Sequence, residues 1–178
     1  MTEPKARLLL QLAAEECSTI HDRSEAEVMK AFKMEKFMTE EKLQLGVSNY
    51  LNKFRFSNAE TQDLWESLNE VYTDGSSQNL TISEIMESWT KNPGFPVVHF
   101  DGKTLKQKRF LLNTNANPDS TLWHVPISIY YPRNETSKPT TIPEYWFKTY
   151  NTTSFAAAER PFIVNTKSSA FYRYKFLK

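Results

Sequence analysis

Asn92-Pro93-Gly94-Phe95-Pro96 divides the chain, and the fold follows from what lies on either side of it. Two prolines around a glycine cannot continue a helix, because proline lacks the amide donor and glycine frees the backbone. Before this pentapeptide the pattern is helical from Lys5 to about Asn92, with apolar residues such as Val28, Phe32, Leu43, Val47, Tyr50, Leu51 and Phe54 at spacings of three and four. Two helix starts read as capping boxes, Ser57-Asn58-Ala59-Glu60 and Thr81-Ile82-Ser83-Glu84, which predict helices over about 58–72 and 82–91. Gly46 interrupts a helix at a cost of about 1 kcal/mol relative to alanine. The stretch from Thr73 to Asn79 reads as a polar loop.

After the pentapeptide the pattern is strand-like. Candidate strands lie over 97–100, 105–113, 122–131, 145–148, 162–166 and 171–176, with Asp101-Gly102 placed for a hairpin turn. Alternation is clearest in Trp123, Val125, Ile127, Ile129 and Tyr131, so Pro126 must sit on an edge or a bulge. The fold class is therefore α+β: an N-terminal helical subdomain over 1–92, a linker at 93–96, and a small antiparallel β-sandwich over 97–178.

With 39% hydrophobic and 13% aromatic residues in 178, the chain can build a core. Its net charge of +1 hides a split: Met1–Pro96 carries 10 basic and 16 acidic residues, about −6, and Val97–Lys178 carries 12 and 5, about +7. In the basic half the cations alternate with apolar residues, as in Leu105-Lys106-Gln107-Lys108-Arg109-Phe110, which is the wet face of a sheet and argues against nucleic acid. The apolar run Leu8–Ala14 is too short to span a bilayer and is a poor signal peptide, so neither anchor nor signal is read in the chain. Three Asn-x-Ser/Thr acceptors, Asn79, Asn134 and Asn151, are candidate glycosylation sites and favour an extracellular or luminal parent.

Catalytic signatures do not assemble. His21 stands in a polar segment, while His99 and His124 lie in predicted strands, in one sheet at most, and lack further ligands. Asp101 reads as a turn former, and Cys17 with His21 as neighbours on one helix face. Only four glycines exclude a phosphate-cradling loop or a nucleophile elbow. The carboxylate pairs Glu15/Glu16, Glu40/Glu41 and Glu84/Glu87 read as solvated faces, and Trp65, Trp89, Trp123 and Trp146 as core anchors. No catalytic, cofactor or metal residue is assigned.

Five blocks in order carry a family resemblance. Asn49-Tyr50-Leu51-Asn52-Lys53-Phe54 through Ser57-Asn58-Ala59-Glu60-Thr61-Gln62-Asp63-Leu64-Trp65 is followed by Ile85-Met86-Glu87-Ser88-Trp89-Thr90 with Pro93–Val98, by Gln107-Lys108-Arg109-Phe110, by Trp123-His124-Val125-Pro126-Ile127, and by Phe162–Asn165 with Phe171–Tyr174. Together they resemble the aminopeptidase N family of zinc aminopeptidases, from the end of the catalytic domain into the following β-sandwich. Residues 1–36 match poorly, and Ser168-Ser169-Ala170 and Tyr174-Lys175-Phe176 depart from the family pattern.

The resemblance implies hydrolysis of N-terminal amino acids from peptides, with zinc held by a His-Glu-x-x-His helix, in a family often membrane-anchored and extracellular. That zinc segment precedes the matched region and is not in this sequence. The expectation is a truncated, non-catalytic homologue without zinc. The alternatives are an incomplete piece of an active zinc aminopeptidase and a protein-binding module whose exposed apolar faces meet another protein.

Overall fold

A computed structural model describes residues 34–76, 78–100, 104–112, 120–132, 136, 138–152 and 161–176, the pair 151–152 by backbone only. Cys17, His21, the Glu15/Glu16 pair, Asn134 and the Asp101-Gly102 turn lie outside the described residues.

Four helices come first: α1 (Met34–Met38), α2 (Glu40–Lys53), α3 (Thr61–Asn69) and α4 (Ile82–Thr90). Thr39, at φ 74°, turns the chain between α1 and α2. The α4 start is the capping box read from sequence, with the Glu84 amide donating to Thr81 Oγ1 (3.2 Å) and the Thr81 amide to Glu84 Oε2 (2.9 Å). The other box is corrected. The helix starts three residues later, capped by Glu60, whose amide donates to Asp63 Oδ2 at 2.7 Å. Ser57 is unavailable as a cap because its amide closes the turn after α2 on the Phe54 carbonyl (3.0 Å), where Phe56 adopts φ 64°.

Gly46 is not a mere interruption. A Cβ there would lie 2.7 Å from Leu68 Cδ2 and 2.9 Å from Val71 Cγ2, so its missing side chain lets α2 and α3 approach. Further along, Asn69 Oδ1 accepts from the Ile82 amide (2.6 Å) and joins the end of α3 to the start of α4.

The strands are β1 (Pro96–Phe100), β2 (Leu105–Arg109), β3 (Val125–Ile127), β4 (Ile129–Tyr130), β5 (Tyr145–Phe147), β6 (Asn151–Thr152), β7 (Ile163–Val164) and β8 (Arg173–Phe176). They form a four-stranded sheet in the order β6-β2-β1-β8 and two pairs, β3·β5 and β4·β7. The α+β class holds, but the sheets are mixed: β1 pairs antiparallel with β2 and parallel with β8. A long connection separates β8 from β1, so no tight turn dictates its direction.

The strand expected over 122–131 breaks into pieces. Residues 121–124 pair with no strand, β3 pairs with β5, and Ser128 hands the chain to β7 through β4. Buried Ser128 holds that corner, its carbonyl accepting from the Asn165 amide (3.1 Å) and its hydroxyl from the Thr166 amide (3.1 Å). Pro126 stands on an edge as its chemistry requires, since β3 has a single neighbour among the described residues. The short β6, which pairs Thr152 and Asn151 with Leu105 and Lys106, has no apolar alternation and lies outside the expected strands.

One buried cluster runs from Met34 and Met38 through Leu68, Ile85 and Trp89 to Trp123, Trp146, Phe147 and Tyr172, so helices and sheets share a core. Trp65, Trp89, Trp123 and Trp146 are all buried in it, as read from sequence. Phe37 of α1 sets its ring edge-on to Trp146 of β5, with centroids 5.2 Å apart.

Candidate functional site: a helix–sheet junction

The chemistry of the described residues concentrates where α4 and the 74–80 loop meet the sheets. Residues 122–124 have no ladder partner, yet side chains from two directions satisfy their backbone. From the helical side, Asn92 Nδ2 donates to the Leu122 carbonyl (2.8 Å), the His124 amide donates to Ser88 Oγ (2.9 Å), and Trp89 Nε1 donates to the His124 carbonyl (2.8 Å). From the sheet side, Gln107 takes both backbone groups of Trp123: its Oε1 accepts from the amide (2.9 Å) and its Nε2 donates to the carbonyl (3.1 Å). The same Nε2 reaches the Thr149 carbonyl at 2.9 Å, and Gln107 is wholly buried.

A second clamp holds β5. Gln78 pairs with the Trp146 backbone in both directions, accepting from its amide (2.6 Å) and donating to its carbonyl (3.1 Å). Asp74 sits beside it as a hub. Its Oδ1 accepts from the Ser76 amide (2.9 Å) and Trp146 Nε1 (3.2 Å), and its Oδ2 from the Ser76 hydroxyl (2.7 Å) and the Leu80 amide (2.9 Å). Burial pushes the Asp74 carboxyl up, but the donors from Leu80, Ser76 and Trp146 together outweigh it, and its pKa falls below the ordinary value. The polar loop read from sequence is thus a fastener between α3, α4 and β5.

The junction turn itself is specific. Gly94 has φ 85°, and a Cβ there would lie 3.2 Å from Arg109 Nε, so both conformation and space call for glycine.

The two described histidines are apart. His99 lies in β1, between Lys106 of β2 and Lys175 of β8 in register. His124, read from sequence as lying in a strand, precedes β3 in the unpaired segment and shares no sheet with His99. Desolvation first, then neighbouring lysines, lower both pKa values: Lys108, Lys175 and Lys106 act on His99, and Lys148 acts on His124 against Glu84. A cation would meet the same repulsion as a proton at either ring. Among the described residues no three His, Cys, Asp or Glu side chains stand close enough to hold a metal. These residues do not fit a zinc site.

Asn79 is exposed at φ 50°, ahead of Thr81, whose hydroxyl caps α4. A small, half-open apolar cleft lies between Phe37, Met86, Trp89, Pro126, Trp146 and Phe171. No helix among the described residues is long and apolar enough to cross a membrane.

A helical run is thus fastened by side chains to a mixed sheet. Residues 21–89 match the peptidase family M1 domain. The match begins at residue 21, inside the stretch 1–36 that reads as poorly matched.

Relatives agree. Glutamyl aminopeptidase of Bos taurus is 42% identical over 101 residues, 53% of this chain and 10% of the relative. A probable aminopeptidase 1 of Sulfurisphaera tokodaii is 46% identical over 100 residues, 53% and 12%. A leucyl aminopeptidase of Saccharolobus solfataricus is 41% identical over 100 residues, 54% and 12%. The chain thus spans about a tenth of the length of the curated relatives it matches.

Proposed function

We propose that this chain is a scaffold segment of an M1-type aminopeptidase fold, without peptidase chemistry of its own. Residues 1–92 correspond to the helical end of the peptidase domain, 93–96 to the linker, and 97–178 to the β-domain that follows. The activity such a segment would serve is the release of N-terminal amino acids from peptides, for which zinc is the family's cofactor. The observation that carries this reading is the double clamp on residues 122–124: Ser88, Trp89 and Asn92 from one side and Gln107 from the other spend their polar groups on backbone, leaving none for substrate.

The test is direct. The purified 178-residue chain is dialysed against zinc, its metal content measured, and aminoacyl anilides offered as substrates. Neither stoichiometric zinc nor anilide hydrolysis is expected. One tightly held zinc per chain together with amino acid release would overturn the reading in favour of an active enzyme piece.

A further inference from the structure

The four-stranded sheet ends at β8, which pairs with β1 alone among the described residues, so its other edge presents unpaired backbone groups. The register sorts the side chains of this edge into two kinds. On the outer face, Lys108, Val97 and Arg173 form one row across β2, β1 and β8, and Lys106, His99 and Lys175 form the next. Among the described residues none of Lys106, Lys108, Arg173 and Lys175 makes an ion pair. On the opposite face, Tyr174 and Phe176 are 45% and 48% exposed although they lie on the side of β8 that neighbours buried Val98 and Phe100. Every residue of β8 is exposed.

We infer that the β8 edge is a docking site for an extended segment of another protein in which acidic and apolar residues alternate. Such a strand, hydrogen-bonded along β8, would set its carboxylates beside Arg173 and Lys175 and its apolar side chains beside Tyr174 and Phe176, because side chains alternate faces along a strand. The period of two therefore matches both halves of the edge at once. Charge selects the partner: an acidic strand meets four uncompensated cations, whereas a basic one is repelled.

Nucleic acid fits less well. Bases need free aromatic faces to stack upon. Phe95 and Phe110 are stacked on each other (4.9 Å between centroids), and the Arg173 guanidinium lies over both rings, 5.6 and 4.7 Å from their centroids. That contact also fixes the Arg173 head in place before any partner arrives.

Binding of a fluorescent octapeptide of alternating Glu and Val to the full 178-residue chain tests this. Saturable binding is expected, with no binding of the Lys-Val counterpart. The double variant Arg173→Glu with Lys175→Glu should weaken the Glu-Val peptide about tenfold and gain the Lys-Val one. Methylating the alternate peptide nitrogens that would face β8 should abolish binding, since edge pairing needs those donors. If the double variant fails to fold, that methylated peptide decides the matter on the unaltered chain. The inference falls if the methylated peptide binds as well as its parent, if an oligothymidylate of equal charge binds as tightly, or if the unaltered chain binds no Glu-Val peptide.

Discussion

Gln107 is a wholly buried polar side chain that gives and takes hydrogen bonds with two separate stretches of backbone. A leucine of similar size would fill the space and orphan the Trp123 amide and at least two carbonyls. Each buried group left unpaired costs about 1–3 kcal/mol, so Gln107→Leu should lower stability by about 3 kcal/mol in a urea melt. Glutamate is no substitute, since it cannot donate to carbonyls.

Asp74 gives a pH signature. Its folded pKa lies below the ordinary 3.8, a depressed carboxylate. It therefore contributes stability that is complete above the unfolded pKa and is lost as pH falls through the folded one. Asp74→Asn should melt about 4 °C below the parent at pH 7, and the gap should close as pH drops below about 4, by calorimetry across pH. A gap that stays constant with pH would mean that packing, not charge, holds the loop.

At the scale of elements, Gly46 sets how closely α2 and α3 lie. Alanine would gain about 1 kcal/mol of helix propensity, but its methyl would press on the Leu68 backbone as well as on side chains, standing 3.2 Å from Leu68 Cα. Overpacking of this kind costs about 1–3 kcal/mol, so Gly46→Ala should be destabilising by about 1 kcal/mol net. Ser48→Ala on the exposed side of α2 is the control and should be neutral or slightly stabilising. A gain in stability at Gly46 would show that the helices separate freely.

Elements also show what the sequence can and cannot convey. The α4 boundaries, the capping box at Thr81, the edge position of Pro126 and the buried tryptophans are all readable, because each rests on local chemistry or period. The cap at Glu60 is hidden because Ser57 is drawn into the preceding turn, a competition between two adjacent turns. The break at residues 121–124 is hidden because alternation signals two faces, not the presence of a ladder partner. Asp74, Gln78 and Gln107 look like ordinary polar residues until residues 68 to 72 positions away, or 16 and 42, come beside them. The block containing Gln107 is visible in the family resemblance, but not what its amide does.

For the whole molecule, the shared core has a consequence for cooperativity. Trp89 and Trp123 approach to 6.4 Å between ring centroids across the helix–sheet boundary, and the Trp89 indole donates into the segment beyond it. Helices and sheets should thus lose structure together: far-ultraviolet dichroism and tryptophan fluorescence are expected to give one coincident urea transition. Two separated transitions would show that the two parts stand independently.

The doubly clamped stretch at residues 122–124 stores its conformation outside itself. None of its own side chains dictates where its amides and carbonyls point; that instruction is written at Ser88, Trp89, Asn92 and Gln107. Such a stretch has no local memory of its native shape and keeps it only while α4 and β2 stand on either side of it. In the folded chain it is a keystone, held in place by its supports.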